Sequence, residues 1–103
     1  MIETDLRARL VNVSDGSEVI LPETAIFGRK SDSTIPLPDN RVSRRHSMIR
    51  RQEDDEYWFY DLGSFNGSYV NGERVTTTRQ LEAGDVIRIC DAEYRFELPG
   101  PTS

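Results

Sequence analysis

Nowhere in this chain do apolar residues hold the i, i+3, i+4, i+7 spacing of an amphipathic helix over eleven or more positions; they come in short runs broken by turn residues. That pattern excludes a helical bundle and predicts strands. Tyr94, Phe96 and Leu98 alternate with Arg95 and Glu97, Ile87 and Ile89 share a face of the run that starts at Val86, and Leu6, Ala8 and Leu10 alternate with Arg7 and Arg9. The first run resumes as Val11-Asn12-Val13 one position out of phase, which predicts a bulge near Leu10. Asp15-Gly16 then turns the chain into a short strand over 18–21. Further strands are expected over 24–27, around 35–37 and over 46–51, with Glu53 to Glu56 as an acidic hairpin tip. Tyr57-Trp58-Phe59-Tyr60 is aromatic on both faces and reads as a central strand. Asn71-Gly72 is the strongest two-residue hairpin signal, joining Ser68-Tyr69-Val70 to Glu73-Arg74-Val75. Some ten short strands with turns between them make an all-β sandwich or barrel.

A chain of 103 residues, 36% hydrophobic, is the size of one compact domain with one core. That domain is expected over residues 1–98, with Pro99-Gly100-Pro101-Thr102-Ser103 as the start of a linker or tail. No apolar run is long enough to span a bilayer, and the N-terminus lacks the basic-then-apolar order of a secretory signal. Cys90 is the only cysteine and has no internal partner, which fits a reducing compartment. The expectation is a soluble, cytoplasmic, monomeric protein without membrane partners.

The net charge of −5 argues against general affinity for nucleic acid, which rests on cations that neutralise phosphates. The average conceals a segregation. From Gly28 to Arg51 there are seven cations (Arg29, Lys30, Arg41, Arg44, Arg45, Arg50, Arg51) against Asp32 and Asp39, a balance of +5, while the remainder carries −10. A basic patch on an acidic domain suits a small anionic target engaged locally. Arg50 and Arg51 equally fit a solvated strand face.

Three polar loops carry the chemistry. They are Phe27-Gly28-Arg29-Lys30, then Val42-Ser43-Arg44-Arg45-His46, then Gly63-Ser64-Phe65-Asn66-Gly67. A phosphomonoester holds close to two negative charges and several strong acceptor oxygens, so it calls for a guanidinium, hydroxyl donors and backbone N–H groups that converge. Arg29, Ser43 and Arg44 supply those types. Asn66 adds an amide with donor and acceptor, suited to the main chain of an extended peptide.

These residues resemble the forkhead-associated (FHA) domain family. The matches are Phe27-Gly28-Arg29, Val42-Ser43-Arg44-Arg45-His46, Asp61-Leu62-Gly63-Ser64, Asn66-Gly67-Ser68 and Asn71-Gly72, with Leu81, Gly84-Asp85 and Ile87 in the closing strands. Their order and spacing agree over roughly residues 5–98. The resemblance implies an antiparallel, FHA/SMAD-like sandwich of about eleven strands with recognition loops at one end. It implies non-catalytic binding of a threonine-phosphorylated peptide or protein in signalling, with no cofactor or metal. By position, Arg29 and Ser43 would bind the phosphate, helped by Arg44 and with Lys30 as an auxiliary, and Asn66 would grip the peptide backbone. Gly28, His46, Gly67, Asn71 and Gly72 would shape the loops. Phe65 stands where the family usually has a polar residue, so a hydroxyl there falls to Ser64 or Ser68. Phe65 itself is expected to pack on an apolar peptide side chain.

Other readings carry less. Ser43, His46 and Asp61 are the types of a hydrolase triad, but no Gly-x-Ser-x-Gly elbow accompanies them. One histidine and one cysteine leave only carboxylates for a metal, and Glu53 to Glu56 fits a solvated tip better than a calcium loop. A same-fold module that binds partners without phosphate is the main alternative. Thr4, in an acidic context, is a candidate for phosphorylation and capture by a domain of this kind.

Overall fold

The computed structural model describes residues 7–99. Among them run β1 (Arg9–Asn12), β2 (Glu18–Ile20), β3 (Thr24–Gly28), β4 (Ile35–Pro36), β5 (Ser47–Arg51), β6 (Tyr57–Asp61), β7 (Ser68–Val70), β8 (Glu73–Val75), β9 (Thr78–Gln80), β10 (Val86–Ile89) and β11 (Ala92–Glu97). They form two facing sheets, one ordered β2-β1-β11-β10-β7-β8 and the other β4-β3-β5-β6-β9. Thr4 and the tail after Pro99 lie outside the described residues.

Alternation builds the core. Leu10, Val70, Ile87, Ile89, Tyr94 and Phe96 from the first sheet meet Ala25, Phe27, Ile49, Tyr57 and Phe59 from the second, all buried. Phe27 packs edge-on against Phe59 and Tyr94, with ring centroids 6.2 and 5.8 Å apart, and Tyr57 does the same with Phe96 at 5.4 Å. Fully burying one such ring is worth about 1.5–3 kcal/mol. Phe27 lies immediately before Gly28-Arg29, so its two ring contacts anchor the first polar loop to the core.

Four details differ from the sequence reading. No bulge occurs at Leu10: β1 pairs residue for residue with β11 and with β2. The phase shift is absorbed because Leu10 is fully buried while Val11 sits at the edge of burial, 9% exposed. β6 does run between two neighbours, but only Tyr57 and Phe59 are buried, while Trp58 and Tyr60 are half-covered on the outer face. β3 and β4 pair in parallel, the exception to an otherwise antiparallel architecture. Thr78-Arg79-Gln80 is an edge strand held by backbone pairing to β6 and not by apolar alternation. The acidic tip joins β5 to β6 as expected, through a single 3-10 turn over Glu53–Asp55 in which Asp54 and Asp55 have positive φ.

Candidate functional site

The segment between β4 and β5 is the hub on which three loops meet. Val42, 2% exposed, and His46, fully buried, pin its two ends to the core and leave Ser43-Arg44-Arg45 bridging between them. The first loop is zipped to it. Arg29 N–H donates to the Ser43 carbonyl at 3.1 Å and His46 N–H to the Phe27 carbonyl at 2.9 Å. Gly28 permits this approach: a Cβ there would lie 2.1 Å from the Arg44 carbonyl oxygen, closer than any side chain allows. The Arg29 guanidinium reaches the Val42 carbonyl at 3.4 Å and remains half-buried.

The third loop is held from below by two groups. His46 Nδ1 accepts from Ser43 N–H at 3.1 Å, so the ring proton sits on Nε2, which donates to the Gly67 carbonyl at 2.8 Å. The single histidine therefore rivets the second loop to the third. Asp61 is the other group. Its Oδ1 accepts from the N–H groups of Gly63 and Ser64, each at 2.9 Å, and its Oδ2 accepts from the Ser64 and Ser68 hydroxyls at 2.6 and 2.8 Å. Burial pushes this carboxyl up, but those hydroxyl and backbone donors outweigh it and hold Asp61 below the usual carboxylate range.

From the third loop, Phe65 N–H donates to Ser43 Oγ at 3.2 Å and Asn66 Nδ2 donates to the Arg41 carbonyl at 2.7 Å. Arg29, Ser43 and Asn66 thus converge on the Arg41 to Ser43 backbone. Asn66 and Arg44 are exposed, and Ser43 is half-buried. Asn66 keeps its Oδ1 and one N–H uncommitted among the described residues, the pair that an extended peptide backbone needs. Lys30 is exposed and faces a cleft on the outer side of the hub. Gly67 is buried beneath Arg74, and Asn71-Gly72 forms the turn from β7 to β8, away from the hub.

Ser64 and Ser68 do not replace the missing hydroxyl in the way the sequence suggests. Ser68 is fully buried, both serine protons go to Asp61, and Ser64 Oγ also accepts from Gly67 N–H at 3.1 Å. Phe65 is 88% exposed at the loop tip, free to meet an incoming side chain. The arrangement also lacks triad geometry, since both ring nitrogens of His46 bond to backbone groups and Asp61 faces the serines of its own loop. No group of three or more metal-binding side chains gathers among the described residues, and none of their helices is long and apolar enough to cross a membrane.

Sequence reasoning missed one part of the hub. Arg41, counted there only as one of seven cations, is clamped by Asp39 Oδ2 and Asp91 Oδ2, each at 2.7 Å, beside the carbonyl that Asn66 grips. Hydrogen bonds from the Arg41 side chain and backbone draw the Asp39 carboxyl down to about 2. The Asp39-x-Arg41 spacing is a local signal for half of this clamp, because a short acidic side chain readily bonds a backbone N–H two residues on.

The β-sandwich thus gathers a guanidinium, a hydroxyl and an amide from three loops onto one short backbone segment. The FHA domain profile matches residues 25–90, and the chain belongs to the FHA domain family. It is 47% identical over 75 residues to the oxoglutarate dehydrogenase inhibitor of Corynebacterium jeikeium, covering 72% of this chain and 51% of that protein. It is 43% identical over 89 residues to the glycogen accumulation regulator GarA of Mycolicibacterium smegmatis, covering 85% and 54%. The structure of Mycobacterium tuberculosis EmbR in complex with a low affinity phosphopeptide superposes with a TM-score of 0.86 at 34% identity, over 95% of this chain and 26% of that one. The chain spans about half the length of the first two proteins and about a fifth of EmbR. These relatives are named as regulators and an inhibitor.

Proposed function

We propose that this domain is a non-catalytic, phosphothreonine-dependent peptide-binding module that acts in cytoplasmic regulation, as a monomer or as part of a larger protein. The observation that carries the reading is the convergence of Arg29, Ser43 and Asn66 on one short backbone segment. Arg29 and Ser43 hold the phosphate, Arg44 adds a flexible cation from the exposed side, and Asn66 takes the peptide main chain. Gly28, His46, Gly67 and Ser64 build the loops beneath. A pre-formed site of this kind loses little entropy when it binds, because its donors are already fixed by the core and by His46 and Asp61. The EmbR complex with a phosphopeptide supports the ligand class.

Calorimetric titration with a matched pair of threonine peptides, phosphorylated and not, tests the reading. The phosphorylated peptide binds and its partner does not, and Arg29→Ala costs about 1.5–3 kcal/mol of affinity, the value of charge-assisted hydrogen bonds. A phosphate-independent module is the second reading, favoured by the exposed Phe65. Equal affinity for both peptides, insensitive to Arg29→Ala, selects it.

A further inference from the structure

The basic segment from Gly28 to Arg51 divides once its partners are known. Arg41 is neutralised by Asp39 and Asp91, Arg51 pairs with Asp55, and Arg29 points at the Val42 carbonyl. Lys30, Arg44, Arg45 and Arg50 have no carboxylate within ion-pair distance among the described residues. Three of those four line one cleft of about 340 Å³ together with Ile26, Asp32, Ser33 and Thr34. That is ligand scale. Asp32 offsets one charge at most, which leaves +2, the charge that matches one phosphomonoester.

The cluster is built into the fold. The contact of Gly28 with the Arg44 carbonyl and the bond from Arg29 N–H to the Ser43 carbonyl fix the two backbones that carry these cations. Ser33 N–H bonds the Lys30 carbonyl at 3.0 Å and Thr34 Oγ1 accepts from Ile26 N–H at 3.1 Å, which closes the floor. Gathering three cations around a single carboxylate raises the free energy of the folded state, although the rest of the chain carries a surplus of acidic residues. Along the hub, Asn66 grips at Arg41 and Phe65 N–H at Ser43, whereas the cleft is reached at Arg44 and Arg45.

We propose that Lys30, Arg44 and Arg45 form a second anionic subsite beside the phosphothreonine position, which selects partner peptides bearing a further phosphate or an acidic side chain near the phosphothreonine. The proposal rests on the phosphothreonine reading above and narrows its substrate class. Arg44 serves both positions, while Lys30 and Arg45 belong to the cleft.

The test starts from a singly phosphorylated threonine peptide. Phosphoserine, and separately glutamate, is walked through the positions from four before to four after the phosphothreonine, and affinity is read by fluorescence anisotropy. At one or two adjacent positions the phosphoserine peptide binds about fivefold tighter or more than its parent, as expected for two exposed cations facing a dianion. Glutamate reproduces the gain if a carboxylate suffices and fails to if a phosphate is required; both outcomes place an anion in the cleft. Arg45→Ala removes the gain and leaves the parent peptide within about twofold, Arg45→Lys restores most of it, and Arg50→Ala, a free cation outside the cleft, changes neither. The proposal is overturned if no position yields a gain, or if Arg45→Ala weakens parent and doubly anionic peptides by the same factor. If the parent binds no better than its unphosphorylated form, the phosphothreonine reading fails first and takes the subsite with it.

Discussion

Two Asn-Gly dipeptides lie five residues apart in this chain and do different work. Asn71-Gly72 turns β7 into β8 with φ of 53° and 83°, the conformation that a two-residue hairpin demands. Its side chain is tied at both ends of the amide: Nδ2 donates to Asp85 Oδ1 and Oδ1 accepts from Val86 N–H, both at 2.9 Å. Asp85 is buried and uses its other oxygen on Glu82 N–H at 2.8 Å. Asn66-Gly67 shows the reverse balance. Gly67 is buried and receives His46, yet Asn66 spends one donor on Arg41 and leaves the rest of its amide to solvent. An amide tied through both its oxygen and its nitrogen holds two strands together, whereas one tied through nitrogen alone keeps its oxygen for a ligand.

The largest effect separates the base from both corners. Gly28→Ala places a methyl against the Arg44 carbonyl, so it costs about 3 kcal/mol in stability and abolishes phosphopeptide binding, because the first and second loops must part. Denaturant titration together with calorimetry checks this. A variant that keeps full affinity would show that the zip between the loops is dispensable.

The next pair contrasts the corners directly. Asn71→Ala strands a buried oxygen of Asp85 and loses about 2 kcal/mol of stability, with affinity unchanged under conditions where the protein is folded. Asn66→Ala gives the opposite result: stability within about 0.5 kcal/mol, and affinity lower by about 1 kcal/mol or more. Urea melts and peptide titrations on the two purified variants read both quantities. Equal stability losses would erase the distinction.

Acid probes the same contrast. The phosphate takes up its second proton near pH 6, so affinity falls as the solution passes below that value. Asp39, drawn to about 2, and Asp61, held below its ordinary range, have folded values under their unfolded ones. Their contribution to stability is therefore complete above the unfolded value of about 4 and is lost only as pH falls through the depressed folded value. Binding should weaken between pH 6.5 and about 5 while amide resonances of the Asp61 loop stay in place. Loop resonances that shift in step with the affinity would contradict this order.

The smallest effect concerns Phe65. Replacing it with threonine lowers affinity by up to about 1 kcal/mol for peptides with an apolar residue against the loop tip, and leaves polar variants unchanged. Profiles from an oriented phosphopeptide library with wild type and Phe65→Thr provide the measurement. Identical profiles would remove Phe65 from specificity.

Much of this is legible in the amino-acid sequence. The alternation in 94–98 and 86–89 and the Asn71-Gly72 turn determine their strands locally, because side-chain direction in a strand depends only on the next residue or two. The ordered motifs around Gly28, Ser43, His46 and Asn66 identified the loops that meet. β9 was hidden because an edge strand can be held by main-chain bonds that carry no side-chain pattern. The second half of the Arg41 clamp was hidden because Asp91 comes from fifty residues away. Ser64 looked like a ligand donor because its type fits, and only its geometry shows the proton given to Asp61.

Chemical-shift mapping of the 15N-labelled domain, titrated with a phosphothreonine peptide and with its unphosphorylated form, tests the central claim most directly. The account predicts large shifts at Arg29, Ser43, Arg44 and Asn66 with the phosphorylated peptide alone, and silence at Asn71, Gly72 and Asp85. Shifts centred on the Asn71 corner or on the outer face of the second sheet, or the same response to both peptides, would contradict it.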